Sequence, residues 1–361
     1  MKDVRLTGPI KIVGTGLIGT SIGLALKSKG LEVFLEDSSP AVLNLAIDFG
    51  AGKKYESGTE PELVIVCTPP DVTASIIAKE LAAHPAATVT DVASVKGTIL
   101  TALQQQGIDL AKYVGSHPMA GREQTGALAG RGDLFIGRPW VITASKESKN
   151  AAVLVVESLA HDLSATVVSM DPLEHDKAVA LVSHAPQILS SLLAARLASA
   201  DTADVSLAGQ GLRDTTRIAA SDPKLWMQIL SANSTQVSSV LKSVRDDLDQ
   251  ILDALTDTSK PGALTSIGRL LESGNQGVSK IPGKHGASAT KYSKVTVMID
   301  DKPGELARLL TEIGQIGINL EDLTLEHATG AQVGLPDLYV LPSAEGELVS
   351  ALTERGWKIV G

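Results

Sequence analysis

Short β-branched runs alternate with helix-like segments through the first half of the chain. KIVG, LEVFLED, LVIVCTPP, ATVTDVAS, RPWVITA and ATVVSM are spread over residues 10 to about 165, with segments such as SIGLALKSKG and VTASIIAKELAA between them. Strands interleaved with helices predict an α/β fold with a parallel, doubly wound sheet. From Asp171 the rhythm lengthens. Asp171, Pro172 and Glu174 read as the N-cap, first-turn proline and capping-box acid of a helix reaching about Ala200. Asp222-Pro223 opens a second helical stretch that leads through Val237, Val240, Leu241, Val244, Leu248, Ile251, Leu252 and Leu255. That seven-residue rhythm needs a partner surface, from a second copy or from the same chain. Residues 273–294, SGNQGVSKIPGKHGASATKYSK, replace Leu and Val by Gly, Ser, Pro and Lys and read as an interdomain linker. Beyond them the pattern is strand, helix (GELARLLTEIGQIG), strand (INLEDLTLEH), strand (LPDLYVLP), helix (GELVSALTERG), strand (WKIV), a βαββαβ unit of ferredoxin-like type.

Composition adds exclusions. At 361 residues, 43% hydrophobic and 20% charged, the chain can bury a substantial core divided over two or three domains. Aromatics at 3% and a net charge of -9 argue against base-stacking platforms and nucleic-acid partners. No unbroken run of about 18 apolar residues is present and MKDVRLTGP leads straight into a strand, so no membrane partner and a cytoplasmic location are expected. The single cysteine, Cys67, lies in LVIVCTPP and reads as a buried strand residue.

Gly14-Thr15-Gly16-Leu17-Ile18-Gly19 follows the strand KIV and opens a helix, the setting in which glycines let a pyrophosphate approach a helix N-terminus. Asp37 ends VFLED, 18 residues after Gly19, where an acid accepts from ribose hydroxyls; Glu36 competes for that role. An acid there repels a ribose phosphate, which favours NAD over NADP. Thr68 and Pro69, at the end of LVIVCTPP, complete the candidate cofactor set. Ser94 follows the strand TVTDVA at the sheet's carboxyl edge, as a ligand contact or a helix cap. His117 lies in GSHPMAG, where Pro118 and two glycines are expected to keep the segment out of regular structure. His184 follows His175 by nine residues, which on an ideal helix places them on opposite faces and disfavours a shared metal; no metal site is expected. Arg213 and Arg217, four apart, are expected to share a helix face.

GTGLIG, DVASVKG (91–97), GSHPMAG (115–121), SHAP (183–186) and RDTTRIAASDPKLW (213–226) occur in this order, and together they resemble the prephenate/arogenate dehydrogenases of tyrosine biosynthesis over about residues 10–285. The resemblance implies an NAD-dependent enzyme that oxidises a cyclohexadienol as it loses its ring carboxylate. By resemblance His117 accepts the ring hydroxyl's proton, Ser94 bonds that hydroxyl or the histidine, and His184 contacts the substrate side chain. Arg217 grips the ring carboxylate, with Arg213 beside it, and Glu123 stands at the entrance. Two departures leave prephenate against arogenate open: Gln187 replaces a histidine frequent in relatives, and Arg122 replaces a small hydroxyl residue. Residues 298–327 resemble the ACT domain of amino-acid-controlled enzymes, which implies an effector, tyrosine among the candidates, near Asp301, Pro303, Gly304 and Asn319. The implied organisation is a Rossmann domain over 8–168, a helical substrate and dimerisation domain over 169–275, a linker over 276–293 and an ACT domain over 294–361, in a homodimer. Two other readings compete: a β-hydroxy-acid type of dehydrogenase, which would use a helical-domain lysine, and a non-catalytic NAD and amino-acid sensor.

Overall fold

The computed structural model describes residues 4–121, 126–281, 292–327 and 333–360. They fall into two compact units, Met1–Arg245 and Asp246–Gly361. In the first, strands β1 (Ile10–Val13), β2 (Val33–Glu36), β3 (Lys53–Lys54), β4 (Leu63–Val66), β5 (Thr88–Asp91), β6 (Tyr113–Pro118), β7 (Pro139–Thr143) and β8 (Thr166–Ser169) form one sheet of order β3-β2-β1-β4-β5-β6-β7-β8. Helices α1 (Leu17–Ser28), α2 (Pro40–Asp48), α3 (Pro70–Ala83), α4 (Gly97–Gln105) and α5 (Asn150–Asp162) connect them. β1 and β4 are buried at every position, which is why β4 is an unbroken apolar run and β1 departs from one only at Lys11, whose ammonium is paired with Glu36 and Glu80. The strand order reverses between β1 and β4, and ligands of such sheets bind at that crevice, outside the carboxyl ends of the strands.

The expectation of an all-parallel sheet needs one correction: β7 runs antiparallel to β6. The 20 residues between them contain among the described residues only a 3-10 turn, Ala127–Ala129, and no crossover helix to return the chain to the sheet's other end. The same pairing overturns the irregular turn expected around His117. Gly115 to Pro118 lie opposite Thr143 to Trp140, so His117 is held in a strand.

Helix α6 (Pro172–Val179) begins as expected, with the Asp171 side chain accepting from Leu173 N. It continues through a π-helical turn, Ala180–His184, into α7 (Ala185–Leu197). Pro186 explains the wide turn: it has no N–H for the Val182 carbonyl, and its ring would press on that carbonyl in an α-helix. The Ala185 N–H reaches back five residues to the Ala180 carbonyl instead. By length and composition alone the continuous helix Pro172–Leu197 is apolar enough to cross a membrane. The sequence reading missed it because His184 and Gln187 interrupt the apolar run. After α8 (Thr202–Val205), α9 (Gln210–Thr216) and a 3-10 turn, Arg217–Ala219, come α10 (Pro223–Ala232) and α11 (Ser234–Thr256). The expected single stretch from Asp222 is therefore two helices, broken at Asn233, whose side chain turns inward.

The second unit holds the end of α11, α12 (Ala263–Val278), β9 (Ser293–Asp300), α13 (Glu305–Ile316), β10 (Asp322–His327), β11 (Val333–Val340), α14 (Glu345–Glu354) and β12 (Lys358–Ile359). The four strands form an antiparallel sheet of order β10-β11-β9-β12, the ferredoxin-like order, over a core that includes Val297, Leu309, Leu338 and Leu348. The expected linker starts too early. α12 runs on to Val278, because Leu264, Leu271 and Val278 continue an apolar stripe at seven-residue intervals across the glycines. Residues 282–291 of that linker lie outside the described residues.

Candidate active site

The carboxyl ends of β2, β1, β4, β5 and β6 lie side by side, and almost every residue singled out in the Rossmann part sits on that edge. Gly14, at φ 97°, leaves β1 in a conformation that disfavours side chains, and a Cβ there would collide with the Cys67 carbonyl. A Cβ at Gly19 would strike the Gly14 carbonyl, so only glycine lets α1 start against the strand. At Gly16 a Cβ would meet nothing within 4 Å, which is the open approach a pyrophosphate needs. Thr15 donates to Asp37 Oδ2 from its backbone N at 2.7 Å and from its hydroxyl at 2.9 Å, and Ser39 N donates to Oδ1 at 2.8 Å, so Asp37 stands against the glycine loop. Glu36 is occupied elsewhere. It pairs with the buried Lys11 at 2.8 Å and with Lys79 at 3.2 Å. Burial opposes its ionisation, but the two lysines hold its carboxyl below the usual range. Thr68, hydroxyl to hydroxyl with Thr73 at 3.1 Å, and Pro69 follow β4 and lead into α3. Leu17 and Ile18 form the first turn of α1. Cys67 is half-buried just beyond β4. Desolvation and then the Asp91 charge push its thiol pKa well up, which disfavours nucleophilic chemistry.

His117 is half-buried near the end of β6. Its Nδ1 lies 2.9 Å from Nε2 of His175, whose Nδ1 lies 2.9 Å from Oδ1 of Asp176. Asp176 is fixed in turn by the backbone N–H groups of Lys96 at 2.9 Å and Gly97 at 2.8 Å, at the N-terminus of α4. Asn233 closes the far side: its Nδ2 donates to the Asp176 carbonyl at 2.8 Å and lies 3.1 Å from His184 Nδ1. His184 meets the Trp226 ring edge to face at 5.9 Å. Burial pushes His184 down to about 4, with Asp176 opposing and His175 adding to the shift. His117 is pushed well below the ordinary imidazole range, first by burial and then by electrostatic coupling to the neighbouring groups of His175, Lys96 and His184, each of which disfavours a second positive charge beside it. Both rings are therefore neutral near pH 7.

The opposite-face expectation for His175 and His184 is corrected here. The π turn absorbs one residue, so nine positions advance the helix as about eight do, leaving roughly a quarter turn between them. Both histidines act electrostatically on His117. Among the described residues no cluster of three or more His, Cys, Asp and Glu could hold a metal ion.

Beneath β5 and β6 lies a second polar group. Asp91, fully buried, accepts from Lys96 Nζ, from Ala93 N at 2.9 Å and from the Tyr113 hydroxyl at 2.7 Å. Lys96 Nζ also donates to the Ser116 carbonyl at 2.8 Å. This pair ties the ends of β5 and β6 together directly behind His117. Ser94, half-buried, lies between Asp91 and Lys96 on the connection from β5 to α4. The Asp91-Lys96 pair stands inside DVASVKG, and His175-Asp176 stands just inside the capped start of α6, yet neither pair was singled out from sequence. Asn233, after an ordinary helical run, gave no local signal at all.

Arg213 is exposed on α9, and Arg217, also exposed, opens a half-buried 3-10 turn packed on α7, so the helix type changes between them. Gln187, buried on α7, donates to the Ser221 hydroxyl at 2.7 Å just after that turn. Glu123 and Arg122 lie outside the described residues. In the second unit Asp301, Pro303 and Gly304 form the exposed turn before α13, and Asn319, exposed in the loop before β10, donates to Glu321 at 2.9 Å.

Residues 22–169 match the family profile for the prephenate dehydrogenase nucleotide-binding domain, and residues 171–268 match that for the prephenate dehydrogenase dimerization domain. The chain belongs to the prephenate dehydrogenase family. The "Probable prephenate dehydrogenase NovF" of Streptomyces niveus is 35% identical over 353 residues, 96% of this chain and 98% of that protein. The crystal structure of prephenate dehydrogenase from A. aeolicus, in complex with hydroxyphenyl propionate and NAD+, superposes with a TM-score of 0.65 at 26% identity, covering 74% of this chain and 97% of its own. Synechocystis arogenate dehydrogenase gives 0.62 at 26%, covering 74% and 98%. Family membership establishes the oxidoreductase expectation drawn from the motifs.

Proposed function

We propose that the chain catalyses the NAD-dependent oxidative decarboxylation of prephenate to 4-hydroxyphenylpyruvate, or of arogenate to tyrosine. The observation that carries this reading is His117: an imidazole bonded through Nδ1, on the same edge of the sheet as the glycine loop, where burial disfavours its charged form. The loop 14–19, Asp37, Thr68 and Pro69 would hold NAD, which when bound accepts a hydride. His117 takes the proton of the ring hydroxyl on the carbon that gives up that hydride. As the ring carboxylate leaves as carbon dioxide, its bonding pair completes the aromatic ring and the ring oxygen can take the proton back. Aromatisation drives the reaction, so the residues' tasks are orientation and proton removal. Ser94 contacts the same hydroxyl, His184 the substrate side chain, and Arg217 with Arg213 the ring carboxylate, a task suited to a planar two-pronged donor. Glu123 stands at the entrance.

The domain division follows the same reading: nucleotide binding over 8–168, helical dimerisation over 169–275 with α12 running on to Val278, and an ACT regulatory domain over 294–361. The large exposed apolar side chains of the helical region, Leu181, Val182 and Leu207 among them, support a homodimer, and a biosynthetic role supports a cytoplasmic location. The ferredoxin-like strand order supports an amino-acid effector, tyrosine first, bound near Asp301, Pro303, Gly304 and Asn319.

The test is NADH formation by the purified protein from prephenate and from arogenate, each with and without tyrosine. His117→Asn should bind NAD normally and lose about 10²- to 10⁴-fold in rate. Retention of a third of the rate would remove His117 from the proton step, and no NADH from either substrate would overturn the reaction.

A further inference from the structure

We propose that His175 and Asp176 are positioning residues that fix the tautomer of His117, so that its Nε2 meets the substrate without a proton. The inference rests on the reaction proposed above for its catalytic consequence, but the tautomer is a property of the resting protein.

The direction of each bond follows from which groups can donate. A carboxylate only accepts, so at 2.9 Å from Asp176 Oδ1 it is His175 Nδ1 that carries the hydrogen. With its ring hydrogen on Nδ1, His175 presents a bare Nε2. That nitrogen is 2.9 Å from His117 Nδ1, which must therefore be the N–H that donates. His117 Nε2 is left bare and becomes the proton acceptor. In the opposite tautomer Nε2 carries a hydrogen and cannot take one, so an unfixed ring would spend part of its time incompetent.

The far end of the chain is rigid. Asp176 has its two oxygens against the Lys96 and Gly97 N–H groups, and a Cβ at Gly97 would lie 2.9 Å from Asp176 Oδ2, so the glycine makes room for this close approach. The rings of His117 and His175 cross nearly edge to face, 5.1 Å between centroids at 79°, so the hydrogen bond and the packing hold the same geometry. When Nε2 takes the hydroxyl proton, the charge on His117 is shared through Nδ1–H toward His175 and met by the Asp176 carboxylate. No second proton has to leave the chain. The charged and titratable groups around the pair are Lys96 before α4, Asp91 at the end of β5, His184 in the π turn and Asp176 itself.

Asp176 also anchors α4, so the informative changes are at His175. His175→Phe keeps a ring and removes both nitrogens; His175→Gln offers a carbonyl oxygen to the His117 N–H. Two readouts are needed. Nitrogen-15 NMR of histidine-labelled protein without substrate should find the His117 hydrogen on Nδ1 in the wild type, displaced to Nε2 in His175→Phe and restored to Nδ1 in His175→Gln. In kinetics, kcat of His175→Phe should fall by more than about 10-fold yet less than the 10²- to 10⁴-fold of losing the base itself, with the KM for NAD unchanged and His175→Gln recovering part of the loss. A wild-type hydrogen on Nε2 would overturn the proposal whatever the substrate is. An unchanged kcat in a folded His175→Phe enzyme that does oxidise prephenate or arogenate would overturn it equally.

Discussion

The sheet of the first unit and the helices that follow it dispose of polar and apolar groups in opposite ways. Behind β5 and β6 a lysine, an aspartate and a tyrosine are buried at 1%, 0% and 2% exposure with every charge met. Along α7 and beyond it leucines stand in solvent, Leu192 at 57% and Leu207 at 85%. The sheet is complete within one chain. The helices carry candidate site residues such as His184 and also exposed leucines, the kind of surface a match to the family's dimerization domain leads us to expect a second copy to cover. The difference teaches that the sheet satisfies its polar groups within one chain, whereas the helices leave apolar surface that the proposed second copy would cover.

The comparison breaks most readily on the helical side. Leu192→Ser removes an apolar side chain from each copy of a symmetric interface, at about 1.5 to 3 kcal/mol for each fully buried leucine. Association should weaken by about 3 to 6 kcal/mol, or 10²- to 10⁴-fold in the dissociation constant. Sedimentation measures this directly, and an unchanged constant would take Leu192 out of the interface.

On the sheet side the same kind of insult should act on folding. Lys96→Met strands Asp91 as an uncompensated buried charge, a change that costs about 3 to 5 kcal/mol. Thermal unfolding should begin at a markedly lower temperature. Replacing Asp91 by Leu in the same protein should recover much of the loss, since an apolar pair of similar volume leaves no charge behind. If the double variant is as unstable as the single one, the pair has no special standing in the core.

Arg217 belongs to the helices but is proposed to serve the site, and so sharpens the boundary between the two. Loss of a charge-assisted, two-pronged contact to a substrate carboxylate costs about 2 to 5 kcal/mol. Arg217→Ala should bind NAD normally and substrate poorly, with lysine at 217 recovering only part. A lower melting temperature with an unchanged KM would make Arg217 a structural residue.

What could be read from the sequence divides along the same line. The candidate cofactor edge was legible because most of its constraints are local: Gly14 is demanded by its positive φ, Gly19 by backbone approach within one turn, and Asp37 is marked by its place after a strand. The histidine chain was legible only at its ends. His117 stood out by its motif, whereas its connection to His175 depends on β7 drawing GSHPMAG into the sheet and on α4 receiving Asp176, contacts 58 and 79 residues apart in the chain. The π turn defeated a helical wheel drawn at 3.6 residues, although Pro186 was its visible cause. Asn233 broke a helix that periodicity had run together, because what turns it inward is His184, 49 residues earlier.

The smallest effect concerns the most legible residue. Asp37 has both oxygens engaged, Oδ2 by Thr15 and Oδ1 by Ser39, so it cannot swing away from an adenosine ribose bound along the glycine loop. A phosphate on that ribose would stand within a few ångströms of the carboxylate. Glu36 adds no relief: its charge is already balanced by Lys11 and Lys79. In partly solvated surroundings the repulsion should cost about 1 kcal/mol or more. NAD should therefore exceed NADP in catalytic efficiency by about 5-fold or more, the equivalent of that energy. Asp37→Asn should narrow the gap, since the amide oxygen can still accept from Thr15 while the like charge is gone. Equal efficiencies in the wild type would place the discrimination elsewhere. A gap that survives Asp37→Asn unchanged would show that the ribose is read by shape and not by charge.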